Sequence, residues 1–322
     1  ADQKGNSSYL TDSEDQNGNT RVAVSSMIDA GAWETPKTTT ADGEWDQTST
    51  WKDGVLPATN QAISVAHSVN VDTTVEVESK DFVVEPGADL TVDSGVTFTV
   101  TNDLDLESSS TSYSSLLVEG TLTAGKVNYK RHVNIVAGSG TTTGANDLIS
   151  APVSGQAFNA FAAANANLAR YTDDDDSDET FFGPYNNNTP GYAKWQEDAT
   201  STIDPGIGYR SGSTDTSTLI FTGTVNTGDV NVDITSGTDN DWNLIGNPYP
   251  SYIKVQDFLN EDVGNGDANK DLLASGFEAI YGYDGAASDG WVIYNLANTT
   301  ASTLIAPGQG FFVNADDTKV GT

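Results

Sequence analysis

The chain has 322 residues, ample for a large core and most naturally divided into two or three domains. Its 14 Lys+Arg stand against 46 Asp+Glu, a formal net charge of -32, which excludes nucleic acid as an ordinary partner and repels anionic membrane surfaces. With no cysteine, structural disulfides, thiol catalysis and thiolate metal sites are excluded; no stretch approaches the roughly 18 apolar residues of a membrane-spanning helix, so direct membrane insertion is not expected. The same acidity favours a hard divalent cation that bridges carboxylates, and calcium is the expected cofactor. Six Trp, twelve Tyr and eleven Phe, with many alternating Val/Ile/Leu runs, argue against disorder over most of the length.

Residues 1–42 are polar apart from Val22-Ala23-Val24 and Met27-Ile28, and read as an amino-terminal extension, a linker or an edge strand. Ala1-Asp2-Gln3-Lys4 carries neither an initiating Met nor an apolar run, as expected of a mature or excised piece of a longer protein. From Gly43 the pattern changes. Trp45, Trp51 and Gly54-Val55-Leu56-Pro57 make an aromatic, turn-rich opening. Two-residue alternations then follow at Ile63/Val65, Val69/Val71 and Val75/Val77, and resume on the opposite parity at Phe82/Val84, Leu90/Val92, Phe98/Val100, Leu104/Leu106 and Leu116/Val118. Strands this short suit the faces of a parallel β-helix, predicted over 43–126, with the Ser-rich insert Glu107 to Ser112 leaving one corner. A small β-sandwich is the alternative. The parity change at Lys80-Asp81 requires a corner or bulge, because alternation cannot change phase within an unbroken strand.

The second half states one pattern twice. Asp147-Leu148-Ile149-Ser150-Ala151-Pro152 is echoed by Asn243-Leu244-Ile245-Gly246-Asn247-Pro248, and Pro205-Gly206-Ile207-Gly208-Tyr209 by Pro307-Gly308-Gln309-Gly310-Phe311. One spacing separates Pro152 from Pro248 and Trp195 from Trp291. Two duplicated β-sandwich-like modules are therefore predicted at 127–222 and 223–322, in an all-β chain. Each is expected to hold an opening strand (Val133 to Val136; Val230 to Ile234), the Leu-Ile strand, a short helix (Phe158 to Ala164; Val255 to Leu259), an aromatic strand (Leu168 to Tyr171; Ala279 to Tyr283), an acidic loop, a Trp strand and the Pro-Gly-x-Gly strand.

Trp242-Asn243-Leu244-Ile245-Gly246-Asn247-Pro248-Tyr249-Pro250-Ser251, with Pro307-Gly308-Gln309-Gly310-Phe311-Phe312-Val313 downstream, resembles the repeated module of large exported surface proteins of the Bacteroidota, typically type IX secretion substrates. Trp45, Ser49-Thr50-Trp51, Gly54-Val55-Leu56-Pro57 and His67-Ser68-Val69-Asn70-Val71 resemble the β-solenoid segment that often precedes that module. The first repeat departs from the motif, with Ala151-Pro152-Val153 where the second has Asn247-Pro248-Tyr249. The resemblance implies export to the outer cell surface and an adhesive or structural duty, with no particular reaction. Asp72-Thr73-Thr74 is similar to the short O-glycosylation acceptor of that phylum.

Three constellations carry candidate chemistry. Asp173 to Glu179 places six carboxylates in seven residues; it reads as a solvated loop or, through Asp173, Asp175 and Asp178, as a calcium site. Asp267, Asn269 and Asp271, with Glu278 at the twelfth position, have the spacing of a calcium loop, but Leu272 stands where that loop needs Gly. Tyr185, Asn187 and Tyr192 combine ring faces with an amide, the pairing that sugar recognition uses, whereas Trp195 reads as core. His67 and His132 read as structural. The expectation is a non-enzymatic extracellular adhesive or structural protein whose partners are surface or matrix glycans or other cell-surface proteins. The alternatives are a surface carbohydrate-binding protein and a polysaccharide-active enzyme.

Overall fold

The computed structural model of the chain describes residues 36–79, 81–135, 146–171, 178–215, 218–264, 266–284 and 290–320. It also describes three two-residue strands nearer the amino terminus, which pair antiparallel in the order Gly5–Asn6, Met27–Ile28, Ala23–Val24. The chain divides into two units, Ala1–Tyr129 and Lys130–Thr322. The architecture is all-β: a solenoid of about four turns followed by antiparallel sheets.

In the first unit the short alternating runs stack in parallel register as three faces. One face takes Lys37–Thr38, Ile63–Val65, Phe82–Val84, Leu104–Leu106 and the start of Val127–His132. The second takes Gly43–Glu44, Val69–Val71, Asp89–Val92 and Ser115–Val118; the third, Val75–Val77, Thr97–Val100 and Thr121–Ala124. Alternation aims every second side chain inward, so Val65, Val71, Val84, Leu90, Val92, Phe98, Val100, Leu104 and Leu106 are fully buried. Each such side chain contributes about 1.5–3 kcal/mol. Trp45 stacks on Phe82 at 6.0 Å, and Trp51 meets Trp45 edge-on at 4.9 Å while donating its indole N–H to the Trp45 carbonyl. The outward positions form polar rungs, with Asn70 bonded to Asp93 and Asn128 to Asp105.

The parity change falls between Val75–Val77 and Phe82–Val84, at a corner where buried Ser79 bonds both the carbonyl and the amide of Asp81; Lys80 lies outside the described residues. Leu122, on the edge strand Thr121–Ala124, is only half-buried. The Ser-rich insert leaves the coil after Leu106 and returns through the pairing of Ser108 with Tyr113.

The second unit contains the duplication. In the first module β1 (Asp147–Ser150) is followed by α1 (Phe158–Ala164), β2 (Gly183–Asn186), β3 (Gly191–Tyr192) and β4 (Gly208–Ser211). In the second, β5 (Trp242–Gly246) is followed by α2 (Val255–Asn260), β6 (Ile280–Tyr283), β7 (Trp291–Tyr294) and β8 (Gly310–Asn314). The strand orders are β1-β4-β2-β3 and β5-β8-β6-β7, so both modules return their last strand between the first and second. Ser150 opposes Gly208 as Gly246 opposes Gly310, which makes the two motifs equivalent residue by residue.

Three expectations fail here, one being the Trp strand of the first module, since Trp195 lies in no strand. The segments at 133–135 and 230–234 form no strand, and Val136 lies outside the described residues. Leu168 to Tyr171 is likewise no strand: Leu168 and Arg170 make single bridges to Ser213 and Thr180, and β2 holds the place that β6 holds in the second copy.

Local chemistry explains the helices. Phe158, Phe161 and Ala162 have the spacing of one helical face and are buried, with Phe158 and Phe161 against Phe182 and Phe161 also against Phe221. The helix ends at Asn165, whose side chain bonds the Phe161 and Ile220 carbonyls and the Ile220 amide. In the second module α2 buries Val255 and Leu259 against Leu273, Ile280, Ile305 and Phe311.

The two modules dock reciprocally. Ile149 of β1 bridges Gln309 ahead of β8, and its counterpart Ile245 of β5 bridges Ile207 ahead of β4. The Ser150 amide donates to the Gly308 carbonyl at 2.8 Å, and the Gly246 amide to the Gly206 carbonyl at 2.9 Å. This contact explains both glycines of the Pro-Gly-x-Gly motif. Gly206 and Gly308 turn the chain at φ of 80° and 61°, in the left-handed region that other residues avoid. At the second glycine the other module's first strand comes too close for a side chain: a Cβ on Gly310 would lie 2.8 Å from the Ile149 nitrogen, and one on Gly208 2.7 Å from the Ile245 oxygen.

Candidate functional site

Docking brings the β2–β3 hairpin of the first module against the sheet face of the second. Tyr185 and Tyr192 stand opposite each other on the hairpin, with ring centroids 5.5 Å apart. Alternation along β5, β6, β7 and β8 sends Trp242, Tyr281, Trp291, Ile293 and Phe312 to the facing side. Together they line a cleft of about 460 Å³. Phe312 lies at its centre: Tyr185, Trp242 and Trp291 meet it edge to face at 5.0, 6.3 and 5.6 Å. Trp291 and Ile293 remain 39% and 46% exposed, a large apolar surface to leave in water on the rim of an otherwise packed cluster. Asn240 donates to the Tyr185 hydroxyl at 3.0 Å, fixing that ring.

Electrostatics behind the cleft are unusual for so acidic a chain. The Arg210 guanidinium lies 4.4 Å from the Tyr192 ring centre and 4.2 Å from that of Phe181, and bonds the Tyr171 hydroxyl. Burial lowers its pKa, against the opposing pull of the Tyr171 and Tyr192 hydroxyls. Burial pushes the Tyr192 hydroxyl up to about 12, with Arg210 drawing it partly back. Tyr192 therefore stays neutral across physiological pH. The ladders make Arg210 the counterpart of Phe312, so one position of the repeat supplies a cation in the first module and a ring in the second.

A second cavity of about 570 Å³ shares Tyr185 and Trp242 with the first. It runs along β5, where Trp195, Tyr209, Ile207 and Ile245 supply apolar wall, and Ser201, Thr202, Asp204 and Asp233 supply polar groups. The Tyr209 hydroxyl accepts the Asp204 amide, and burial raises its pKa.

Of the residues singled out from sequence, Tyr185 and Tyr192 come together in the first cleft. Asn187 does not join them. It is buried, and its amide nitrogen is spent on the Thr235 carbonyl and hydroxyl, holding the 230–235 segment in place. The equivalence of Trp195 with Trp291 is also corrected. Trp195, read as core, is half-buried: it packs on Phe158, Phe182 and Tyr209 and also lines the second cavity, while the ladder partner of Tyr185 that matches Trp291 is Tyr192.

The calcium candidates are dispersed. Asp267 faces Lys319, Asn269 donates to the Phe258 carbonyl, Asp271 accepts from the Ala268 amide and Lys270, and Glu278 accepts from the Gly276 amide. In the turn at Asn269–Leu272 the Asp271 carboxylate caps the Ala268 amide. Asp173 and Asp175 lie outside the described residues, and Asp178 is exposed. Among the described residues no three His, Asp or Glu side chains gather as a metal site. His67 bonds the Thr39 hydroxyl, and burial lowers the pKa of His132.

The model of a family described as Domain of unknown function (DUF8693) matches residues 37–322. The chain belongs to DUF8693. No curated protein and no solved structure matches it. The DUF8693 span runs from the first solenoid strand through both modules, and both cavities lie inside it.

Sequence reasoning missed Trp242, Tyr281, Trp291 and Phe312 as site residues. Their common feature is a large ring on one face of the sheet, where Phe312 is buried beside Leu148 and Leu244 and Trp242 and Tyr281 pack against that cluster only in part.

Proposed function

We propose that this protein is a non-enzymatic adhesive protein of the outer cell surface, and that its aromatic cleft holds a carbohydrate ring. The observation that carries the reading is the cleft itself. Two tyrosines from one module face the indoles of Trp242 and Trp291 in the other, around Phe312. Ring faces stack on the C–H surface of a pyranose. The residues lining this cleft are aromatic or aliphatic, chemistry for holding a ligand. Export and surface exposure rest on the resemblance of the repeated motifs to exported surface proteins. High net acidity, which keeps a chain soluble in salt, accords with them.

The test is a glycan array probed with the whole chain and with Trp291→Ala. Trp291 is partly exposed, so the variant is expected to stay folded, by circular dichroism, while losing glycan binding. Equal array signals for the two proteins would remove the cleft from the reading, and release of reducing ends from any bound glycan would overturn its non-enzymatic part.

A further inference from the structure

The two cavities meet at Tyr185 and Trp242, which line both, and they differ in chemistry. The first offers ring faces. The second offers Ser201, Thr202, Asp204 and Asp233, which are exposed and whose side chains make no hydrogen bond among the described residues. Their neighbours are committed differently: Asn187 and Asn243 both spend their amides on Thr235. Polar groups left unspent along one wall, continuous with an aromatic cleft, are what a ligand with many hydroxyls would use.

Resting on the reading of the cleft as a carbohydrate site, we infer that the ligand is a neutral oligosaccharide of several rings that spans both cavities. One ring stacks in the first cavity, and the adjoining rings hydrogen-bond along the second. The combined volume, about 460 and 570 Å³, exceeds what one monosaccharide fills. Charge selects a neutral chain. The protein carries -32, and Asp204 and Asp233 sit in the second cavity, so a uronate or sulfated sugar would meet like charge there. Arg210, the nearest cation behind the cleft, is turned against Tyr192 and Phe181.

Titration calorimetry on the full chain tests this with gluco-, xylo- and manno-oligosaccharides of one to six rings, and with oligogalacturonates of the same lengths. Affinity is expected to rise with length in one neutral series, and the oligogalacturonates are expected to bind more weakly. The double variant Asp204→Ala/Asp233→Ala changes only exposed groups. It is expected to weaken the longest neutral ligand by about tenfold or more, leaving the single ring unchanged. Trp291→Ala is expected to weaken both. A single ring binding as tightly as six, with the double variant indistinguishable from wild type, would overturn the two-cavity inference and leave the cleft reading intact. Oligogalacturonate binding as tight as the best neutral series would overturn the charge selection. No binding by any saccharide would overturn the cleft reading, and the inference with it.

Discussion

Gly310→Ala probes the docking of the two modules at its narrowest point. The added methyl would sit 2.8 Å from the Ile149 nitrogen and the Leu148 carbonyl carbon and 3.0 Å from the Ile149 oxygen, all of them backbone atoms that no rotamer change can move. Relief requires the first strand of one module to separate from the last strand of the other. Overpacking of this kind costs about 1–3 kcal/mol. The separation also strains the bond from Ser150 to Gly308, at about 0.5–1.5 kcal/mol. A total of about 2–4 kcal/mol lowers the melting temperature by roughly 4–16 °C for a unit of this size. Gly208→Ala occupies the reciprocal place and should act alike, with its Cβ 2.7 Å from the Ile245 oxygen. Gly228→Ala is the control, because a Cβ there meets nothing within 4 Å. Scanning calorimetry of the three variants decides the matter: if Gly310→Ala and Gly208→Ala melt with Gly228→Ala, the reciprocal contact is not a packed interface.

Trp51→Ala removes a ring that is 1% exposed, together with its bond to the Trp45 carbonyl; urea unfolding should show a loss of about 3–5 kcal/mol, and a loss below about 1 kcal/mol would mean that the indole does not fill the solenoid interior. The Tyr192 hydroxyl is raised from 10.0 to about 12, so above pH 10 the unfolded chain ionises first and stability falls as pH climbs from 10 towards 12. Tyr192→Phe keeps the ring and removes that titration, and alkaline melting curves should fall less steeply for the variant; superimposable slopes would mean that the hydroxyl is not buried as described. Asp271→Ala should lower the melting temperature equally with calcium and with chelator, because Asp271 holds the Ala268 amide and Lys270. A loss confined to calcium-containing buffer would establish the loop at Asp267 as a metal site.

What could be read from sequence was set by how local the deciding interactions are. The solenoid was legible because inward alternation is a property of three or four consecutive residues, and Phe82, Val84, Phe98 and Val100 are all buried as their parity requires. The duplication was legible through Pro152 with Pro248 and Gly206 with Gly308, short motifs that fix backbone turns. Constant spacing then misled at Trp195, because loops of different length separate the motifs and the hydrogen-bond ladder sets equivalence in the hairpin. Tyr185 and Tyr192 were found as rings in a polar segment. Trp242 and Phe312 could not be placed beside them, since only the docking of two modules across distant backbone brings those rings together. Asn187 looked free in sequence and is tied down by Thr235, a partner far along the chain.

The reciprocal contact limits how this protein can grow. Ile149 touches Gln309 and Ile245 touches Ile207, so each copy offers the same patch and receives the same patch. Such an isologous arrangement is the geometry of a C2 homodimer, here joined by a covalent link between its halves. Both patches are consumed, so a third copy of the module cannot repeat this contact. A heterologous, head-to-tail contact would have given a fibre that lengthens with every duplication. This one gives a closed pair, and a longer protein built from it would be a string of such pairs with its length set by the segments between them.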